Sequence, residues 1–378
     1  MRKTFQYRIF PTRKQTTILK QTLNGCRWLY NHFLEQHKIS WESEKKSLSR
    51  YEQTKTLPEL KKEHPFLEDI FSQVLQNVSM RIDLAFRAFF RRVKAGKKPG
   101  YPRFRGFDRY DSFTFPQSGF RLDNSLHLSK IGKIRINKHR DIEGTIKTCT
   151  IRRTPTGKWY VSFACDIDYK PTEKPIEPAI GIDMGLESFA TLSTGEKIEN
   201  PRFFRQEEEA LAKAQRKLSK QTKDSELRKK ARKVVARVHE RIVWKRKNFV
   251  HQEARKLVSE FNTIVIEDLS INDMKKNNFH GINKSIGDAA WRMFLDLLGY
   301  KAADAGKRVV KINPAYTSQN CSRCGNRHKL KLSDRVYHCP SCGLQLNRDV
   351  NAAINILALG AKSLGEDFSL QSLEAPYL

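Results

Sequence analysis

The first 170 residues show two kinds of hydrophobic periodicity. Phe5, Tyr7 and Ile9 alternate with polar residues, which predicts a strand from Lys3 to Phe10. Apolar residues then recur every three or four positions in two stretches, and this spacing predicts two helices that share a helical core. The positions are Leu19, Leu23, Cys26, Tyr30 and Phe33 or Leu34 in the first stretch, and Phe71, Val74, Leu75, Val78, Ile82, Ala85, Phe86 and Phe89 in the second.

After these helices the period changes back to two. Residues 146–153 and 159–166 predict a hairpin, joined by a turn at Pro155-Thr156-Gly157-Lys158. We expect a small antiparallel barrel or sandwich, which the first strand completes and into which the helices are inserted. Residues 170–178 contain three prolines and are typical of a linker.

A second globular unit is predicted from Ala179. Residues 179–186 and 190–193 predict a strand-turn-strand opening, and residues 263–266 and 308–312 predict two buried strands. Residues 205–261 are strongly helical, and residues 349–357 predict a final helix. An apolar seam at Val234, Val238, Ile242 and Phe249 favours a long helical pair within 205–261.

The charge of the chain points to a polyanionic partner. Its 378 residues include 71 Lys and Arg against 41 Asp and Glu, a formal net charge of +30. This balance excludes a typical neutral metabolic enzyme and favours nucleic acid, with a membrane surface as the second candidate. No apolar run reaches the ~18 residues of a membrane span, and the first residues lack a signal-peptide pattern, so we expect neither.

Two segments concentrate the positive charge. Residues 91–105 combine seven basic residues with Tyr101 and Phe104 in a Gly- and Pro-containing loop, which suits a nucleic-acid backbone and exposed bases. Residues 211–250 contain 15 Lys and Arg against three Asp and Glu. The alternative for the first segment is a solvated loop. Much of the charge in the second could be an ordinary solvated helix face, but its excess of 12 basic residues exceeds what solubility requires.

Four of the seven cysteines form two CxxC pairs. An odd number of cysteines in a long basic chain fits a reducing cytosol. Each pair is followed by glycine, and 14 residues lie between the pairs. Four thiolates on two tight turns predict a closed, structural zinc site rather than a redox pair. The ligands are Cys321, Cys324, Cys339 and Cys342.

Three acids stand in positions suited to metal-dependent chemistry. Asp183 follows Ile180-Gly181-Ile182, Glu267 ends a buried strand, and Asp349 opens the last helix. If the strands are neighbours, the three carboxylates converge, and their mutual repulsion calls for bound cations such as Mg²⁺. Two such cations can support phosphodiester hydrolysis. Asp268 is an alternative to Glu267.

The order of several motifs resembles the TnpB family, nucleases of bacterial and archaeal insertion sequences that are related to type V CRISPR effectors. The resemblance covers nearly the whole chain. Its motifs are Arg8-Ile9-Phe10-Pro11-Thr12, Tyr30-Asn31, Pro102-Arg103-Phe104, Gly181-Ile182-Asp183-Met184-Gly185, Ile266-Glu267-Asp268-Leu269, Thr317-Ser318-Gln319, and Arg348-Asp349 with Asn351-Ala352-Ala353-Ile354-Asn355.

The resemblance implies an α+β multidomain fold. It implies an N-terminal wedge β-barrel with an inserted helical recognition lobe, then an RNase H-like (RuvC) α/β nuclease domain with a zinc ribbon insertion. The expected boundaries are 1–14 and 107–172 for the wedge, 15–106 for the lobe, 173–316 and 344–360 for the nuclease domain, 317–343 for the ribbon, and 361–378 for a disordered tail.

The resemblance also implies an activity. The chain would be an RNA-guided DNA endonuclease whose triad, Asp183, Glu267 and Asp349, binds Mg²⁺ or Mn²⁺. Its partners would be a guide RNA (omega RNA) from the transposon end and double-stranded target DNA, cut beside a short transposon-adjacent motif. One site would cut both strands in turn. We expect a monomer in the prokaryotic cytoplasm, on the nucleoid when bound to DNA.

The residues that contact nucleic acid are less clearly indicated. Side-chain amides can bind adenine edges, and basic residues can bind guanine or phosphate. The candidates are Gln73, Gln76, Asn77 and Arg81 on the second predicted helix, with Arg103 and Arg105 in the basic loop. An ordinary polar helix face is the alternative for the first four.

The sequence leaves three alternative functions to consider. A non-catalytic RNA-guided DNA-binding repressor would share the fold but would have lost triad acids. A transposase or accessory recombination factor would need a Tyr or Ser nucleophile, which no motif singles out. A zinc-ribbon structural or translation factor would explain the charge and the cysteines but not the three acids.

Overall fold

The chain folds into two compact units, Met1–Lys170 and Pro171–Leu378. The computed structural model describes residues 1–271, 274, 280–331 and 333–365. The first unit contains a seven-stranded sheet with a helical insertion, and the second contains a five-stranded sheet with helices. The architecture is α+β, as predicted.

All seven strands of the first unit pair in one antiparallel sheet. They are β1 (Arg2–Phe10), β2 (Ser112–Phe115), β3 (Phe120–Leu122), β4 (Leu126–Leu128), β5 (Gly132–Asn137), β6 (Thr145–Arg153) and β7 (Trp159–Asp166). The strand order is β2-β6-β7-β1-β5-β4-β3. β1 lies in the middle because it pairs with both β7 and β5. Its Phe5, Tyr7 and Ile9 are buried, which confirms the predicted alternation.

This sheet is curled. Its two end strands, β2 and β3, are consecutive in the chain, and the rings of Phe115 and Phe120 lie 6.5 Å apart. Phe120 also lies 6.4 Å from Phe163 on β7, across the concave side. Among residues 1–170 no backbone pairing joins β2 to β3, so full closure into a barrel stays a prediction.

Four helices are inserted between β1 and β2. They are α1 (Arg13–Glu44), α2 (Arg50–Lys55), α3 (Leu57–Glu63) and α4 (Ser72–Lys94), with a 3-10 turn at Pro65–Leu67. α1 begins at a capping box, in which Thr12 and Gln15 each bond the other's backbone N–H. The predicted stripe of α1 is buried, and that of α4 is buried from Val74 to Ile82. Both helix predictions are therefore confirmed.

The second unit is built on a mixed sheet. Its strands are β8 (Ala179–Asp183), β9 (Ser188–Leu192), β10 (Lys197–Glu199), β11 (Thr263–Glu267) and β12 (Arg308–Ile312), in the order β10-β9-β8-β11-β12. β8, β11 and β12 are parallel, whereas β9 and β10 are antiparallel. All five residues of β11 are buried, as expected for a central strand with helices on both faces.

Helices cover both faces of this sheet. They are α5 (Phe203–Ser219), α6 (Glu226–Glu260), α7 (His280–Ala289), α8 (Trp291–Asp304) and α9 (Arg348–Leu364). Ile180 and Ile264 share a core with α6 and α8, whereas Val265, on the other face of β11, packs with α9. Gly181 allows the close approach of α9, since a Cβ there would lie 2.2 Å from the carbonyl oxygen of Ala353. Within the described ranges, no helix combines the length and the apolarity that a membrane crossing requires.

The predicted helical pair is confirmed, but the assignment of one residue to its apolar seam is wrong. Val238 and Ile242 of α6 are buried and pack against Leu211 of α5. Val234 is 43% exposed. The stripe continues instead through Val235, which packs in the same cluster, and Ala231, which is buried. Val234 and Val235 lie four and three residues before Val238, so helical spacing places both beside it, and α5 covers the side of Val235.

The last helix is longer than expected. α9 extends to Leu364 and ends at Gly365, whose positive φ of 69° suits a left-handed helix cap. Residues 361–364, assigned to a disordered tail from the sequence, are therefore helical. Residues 366–378, the rest of that expected tail, lie outside the described residues.

Candidate active site and cysteine cluster

Two of the predicted acids lie at the carboxyl ends of neighbouring parallel strands. Asp183 is the last residue of β8, and Glu267 is the last residue of β11. The register pairs Ile182 with Ile266, so the two acids occupy equivalent positions one residue further along. In open α/β sheets this edge is where ligands bind. The parallel topology thus brings together two acids that are far apart in the chain.

Asp349 comes from the first turn of α9. Asn347 begins this helix, since its side chain accepts hydrogen bonds from the backbone N–H groups of Asp349 (3.1 Å) and Val350 (3.4 Å). α9 packs directly on β8, the strand of Asp183. The guanidinium Nε of Arg348 lies 3.4 Å from Asp349 Oδ1. The helix therefore carries one acid and one compensating cation.

These three acids, here called the acidic cluster, interact electrostatically. Burial is the main cause that raises the pKa of Asp183 to about 7. The negative charges of Glu267 and Asp349 also raise it, while Arg348 opposes them. Burial raises the pKa of Glu267 as well, against a hydrogen bond from Thr317. Such mutual repulsion in a buried place favours either protonation or cation binding.

The alternative acid points elsewhere. The side chain of Glu267 is buried, whereas that of Asp268 is 67% exposed and lies 3.3 Å from Lys311 Nζ. Successive residues after a strand tend to face opposite sides of the sheet. The geometry therefore favours Glu267 over Asp268 as the partner of Asp183.

The four CxxC cysteines, here called the cysteine cluster, are brought together. All four Sγ atoms lie within 4.8 Å of one another, with Cys321–Cys342 at 3.6 Å and Cys324–Cys339 at 3.5 Å. Among the residues that the structure describes, they are the one group of three or more possible ligands at this spacing. The acidic cluster is more open.

Both cysteine pairs lie on tight turns that require glycine. Gly325 and Gly343 have positive φ values of 74° and 70°. Their N–H groups donate to the carbonyl oxygens of Cys321 (2.9 Å) and Cys339 (3.0 Å). A two-stranded ribbon, β13 (Val336–His338) and β14 (Gln345–Asn347), frames the second turn and leads directly into α9. The geometry fits a tetrahedral thiolate site.

Hydrogen bonds connect the two clusters within the second unit. Thr317 Oγ1 donates to Glu267 Oε1 at 2.6 Å. Asn355 Nδ2 of α9 donates to the carbonyl oxygens of Thr317 (2.9 Å) and Asn320 (2.7 Å). Asn351 Nδ2 donates to the same Asn320 carbonyl at 2.8 Å. In the sequence, Thr317, Asn351 and Asn355 stand out only as motif residues, because their contacts depend on tertiary structure.

In the first unit, three of the predicted nucleic-acid contacts are engaged within the unit. Gln73 Oε1 accepts a hydrogen bond from Ser118 N–H at 3.1 Å. Arg81 donates to the Ser112 carbonyl (2.7 Å) and to Asn77 Oδ1 (3.1 Å). The bonds to Ser112 and Ser118 fix α4 against β2 and the loop that follows it, whereas the bond to Asn77 lies within α4. Nucleic-acid contact by these three residues stays a prediction, and the structure shows that they also make hydrogen bonds within the protein.

The other three predicted contacts are exposed. Gln76 lies on the outer face of α4, and Arg103 and Arg105 lie in the basic loop. Asn31 of α1 pins this loop, since its side chain bonds both the N–H (2.7 Å) and the carbonyl (3.0 Å) of Arg105. Tyr101 packs edge-on against Phe86 and Phe89 rather than standing alone. The loop thus presents arginines from a fixed backbone.

A basic cleft lies in the second unit beyond β8. Its volume is about 880 Å³, and its lining includes Arg202, Arg205 and Arg335. Arg335 pairs with Glu187 at 2.8 Å, in the turn between β8 and β9. Asp288 of α7, also in the lining, accepts the N–H groups of Phe204 and Arg205 at the start of α5. The lining therefore contains three arginines and two acids, Glu187 and Asp288.

Comparison with known families assigns most of the chain. Residues 162–278 match a family profile described as "Probable transposase" (OrfB_IS605), and residues 291–356 match "Cas12f1-like, TNB domain". Residues 1–46 match a profile described as "Helix-turn-helix domain". In the structure this last segment is β1 followed by the single long helix α1.

Relatives cover nearly the full length. A protein of Streptomyces pristinaespiralis named "Putative RNA-guided DNA endonuclease" is 38% identical, over 95% of this chain and 90% of its own. One of Escherichia coli (strain K12), named "Putative RNA-guided DNA endonuclease InsQ", is 31% identical over 94% and 92%. The sheet, the acids and these relatives define an insertion-sequence protein of the nuclease class. The chain belongs to the TnpB family.

A solved structure shares the fold. In a cryo-EM structure of a Cas12f1–sgRNA–target DNA complex, the matching chain has a TM-score of 0.58 and 15% sequence identity, with coverage of 91% of this chain and 83% of that one. At this identity the likeness shows the fold alone.

Proposed function

We propose that the chain is an RNA-guided DNA endonuclease that cuts DNA next to a short transposon-adjacent motif. The observation that carries the proposal is the convergence of Asp183, Glu267 and Asp349 at one sheet edge. The names of the full-length relatives support the same activity. A repressor without catalysis would have no use for three acids that interact at one sheet edge.

The acidic cluster is proposed to hold Mg²⁺ or Mn²⁺. Its donors are carboxylate oxygens, which these hard cations prefer, and their mutual repulsion is relieved by positive charge. When bound, such cations supply an activated water and neutralise the charge that develops in phosphodiester hydrolysis. Asp183 and Glu267 give the site its fixed, buried side. Asp349, on the first turn of α9, gives the side nearest Arg348.

The cysteine cluster is proposed to hold a structural zinc ion. Four thiols at this spacing fit its tetrahedral preference, and a closed ligand set leaves no position for a substrate. In this proposal residues 317–343 form a zinc ribbon, and residues 173–316 and 344–360 form the RuvC-like nuclease domain. α9 then extends that domain to Leu364.

The first unit is proposed to bind the guide RNA and the transposon-adjacent motif of the target DNA. Residues 1–14 and 107–172 would form the wedge, and residues 15–106 the recognition lobe. Gln76, Arg103 and Arg105 are the exposed candidates for direct contact. Protein contacts to a guide heteroduplex are expected to follow its backbone shape, so the basic α5–α6 pair is a second candidate surface.

The proposal is tested by expressing the chain with its native flanking DNA and sequencing the RNA that copurifies. One abundant RNA with a constant scaffold and a variable 3′ end is the expected result. A heterogeneous mixture of cellular RNA would contradict a guided enzyme, because it would show that the charge of +30 binds polyanions without selection.

The RNA then allows a cleavage test on a plasmid library in which a guide-matched target is flanked by random sequence. The wild-type complex should deplete one short flanking motif in the presence of Mg²⁺. Asp183→Ala should abolish cutting and retain binding of the same target. Retained cutting by this variant would contradict the assignment of the acids.

A further inference from the structure

Thr317 holds one oxygen of a triad acid. Its hydroxyl lies 2.6 Å from Glu267 Oε1 and 3.2 Å from the Pro314 carbonyl. A hydroxyl has a single proton, and a carboxylate is the stronger acceptor, so the shorter contact dominates. Thr317 is 4% exposed and Glu267 is 8% exposed, so water competes little for this bond. Within the described residues it is the only side-chain hydrogen bond of Glu267.

The backbone of Thr317 is itself fixed by α9. Asn355 bonds the carbonyls of Thr317 and Asn320, and Asn351 bonds Asn320 a second time. Asn351 is fully buried, and its Oδ1 accepts the N–H of Ser322 at 2.9 Å. The helix that carries Asp349 therefore also clamps the segment that carries Thr317.

We infer that Thr317 is a positioning residue of the nuclease centre, which orients Glu267 relative to Asp183 and Asp349 for cation binding. The inference rests on the proposed function. Thr317 acts through Glu267 and does not itself provide a ligand. By occupying Oε1, its hydroxyl leaves the second carboxylate oxygen for the cation.

The expected effect is on cation affinity more than on folding. Groups that orient metal ligands typically contribute 10–100-fold to metal affinity or activity. Valine has nearly the shape of threonine but lacks the hydroxyl. Thr317→Val should therefore leave the Glu267 carboxylate without its orienting bond, and Thr317→Ser should keep that bond.

The experiment is a titration of the zinc-loaded, RNA-free full-length chain with Mn²⁺, followed by the electron paramagnetic resonance signal of free Mn²⁺. Thr317→Val should weaken Mn²⁺ binding by about 10–100-fold. Thr317→Ser should bind Mn²⁺ with an affinity within a few-fold of wild type. In cleavage assays, Thr317→Val should require more Mg²⁺ for half-maximal rate, with a smaller loss at saturating Mg²⁺.

A matched control is available on the same strand. Thr263 is also fully buried, and its hydroxyl donates to the Ile176 carbonyl at 2.6 Å, at the opposite end of β11. Thr263→Val removes an equivalent bond and should leave Mn²⁺ affinity unchanged. Equal losses in the two variants would overturn the inference, because they would show a general loss of stability.

Two further outcomes separate the inference from the proposed function. A folded Thr317→Val variant that binds Mn²⁺ as tightly as wild type would overturn the positioning role even if the wild-type chain cuts DNA. A wild-type chain that binds Mn²⁺ through Asp183 but cuts no guide-matched DNA would contradict the proposed function. The titration of the Thr317 variants would then still decide the inference.

Discussion

The two clusters of the second unit bring their ligands together in different ways. The cysteine cluster lies within 22 residues, Cys321 to Cys342, and two tight glycine turns place its thiols. The acidic cluster draws on β8, β11 and α9, which are separated by long helical segments. A local site depends on turn geometry, whereas a distributed site depends on the whole sheet. We therefore expect substitutions in the two clusters to have different consequences.

The clusters also differ in whether the surrounding fold depends on a bound metal ion. The thiols are already within 4.8 Å of one another, and the described part of the ribbon around them contains little core besides Tyr337. The acids sit at the edge of a large hydrophobic core that holds them whether or not a cation is bound. The cysteine cluster should therefore need its metal to fold, and the acidic cluster should need its metal only to act.

The largest expected effect of this difference is on zinc. Cys324→Ser should reduce zinc from about one ion per chain to almost none and should unfold the ribbon around it. Metal analysis of the purified chain, with proteolysis of residues 317–343 as a second measure, checks this. Cys149→Ala, in the sheet of the first unit, should keep its zinc. Unchanged zinc in Cys324→Ser would mean that these cysteines are not the ligands.

A smaller effect should follow from pH at the acidic cluster. The pKa of Asp183 is raised to about 7, mainly by burial, so a cation competes with a proton below that pH. The Mn²⁺ affinity of the chain should fall by about tenfold per pH unit below 7 and level off above it. Zinc content of the same samples should not change between pH 6 and 8. A flat Mn²⁺ affinity across this range would contradict the raised pKa.

The raised pKa of Asp183 also makes the stability of the cation-free chain depend on pH. Because the folded pKa of Asp183 lies above its ordinary value, the bound proton stabilises the cation-free fold, and this contribution is lost as pH rises through 7. Asp183→Asn should therefore stabilise the cation-free chain more at pH 8 than at pH 5. Thermal unfolding of the zinc-loaded chain, with no Mg²⁺ or Mn²⁺ added, at both pH values measures this difference.

The sequence predicts the parts of both clusters that depend on local pattern. CxxC spacing identifies all four cysteines, and an apolar strand followed by an acid identifies Asp183 and Glu267. The motif resemblance favours Glu267 over Asp268, and the structure adds the physical reason, because only tertiary contacts reveal Thr317 beside Glu267 and Lys311 beside Asp268.

Tertiary contacts also account for what periodicity misses in the helices. Val234 has the right spacing for a seam but lies beside the face that meets α5. Gln73 and Arg81 look like a free polar face, yet both bond to residues next to or within the sheet of the first unit. Periodicity gives the faces of a helix, and only the fold shows which face meets a neighbour.

The most direct test of the nuclease centre compares two adjacent carboxylates. Cleavage of a guide-matched plasmid should be measured in Mg²⁺ with Glu267→Gln and Asp268→Asn, each bound to the same guide RNA. We predict that Glu267→Gln binds the target but does not cut it, and that Asp268→Asn cuts like wild type. Normal cutting by Glu267→Gln, or loss of cutting in Asp268→Asn alone, would contradict the centre built from Asp183, Glu267 and Asp349.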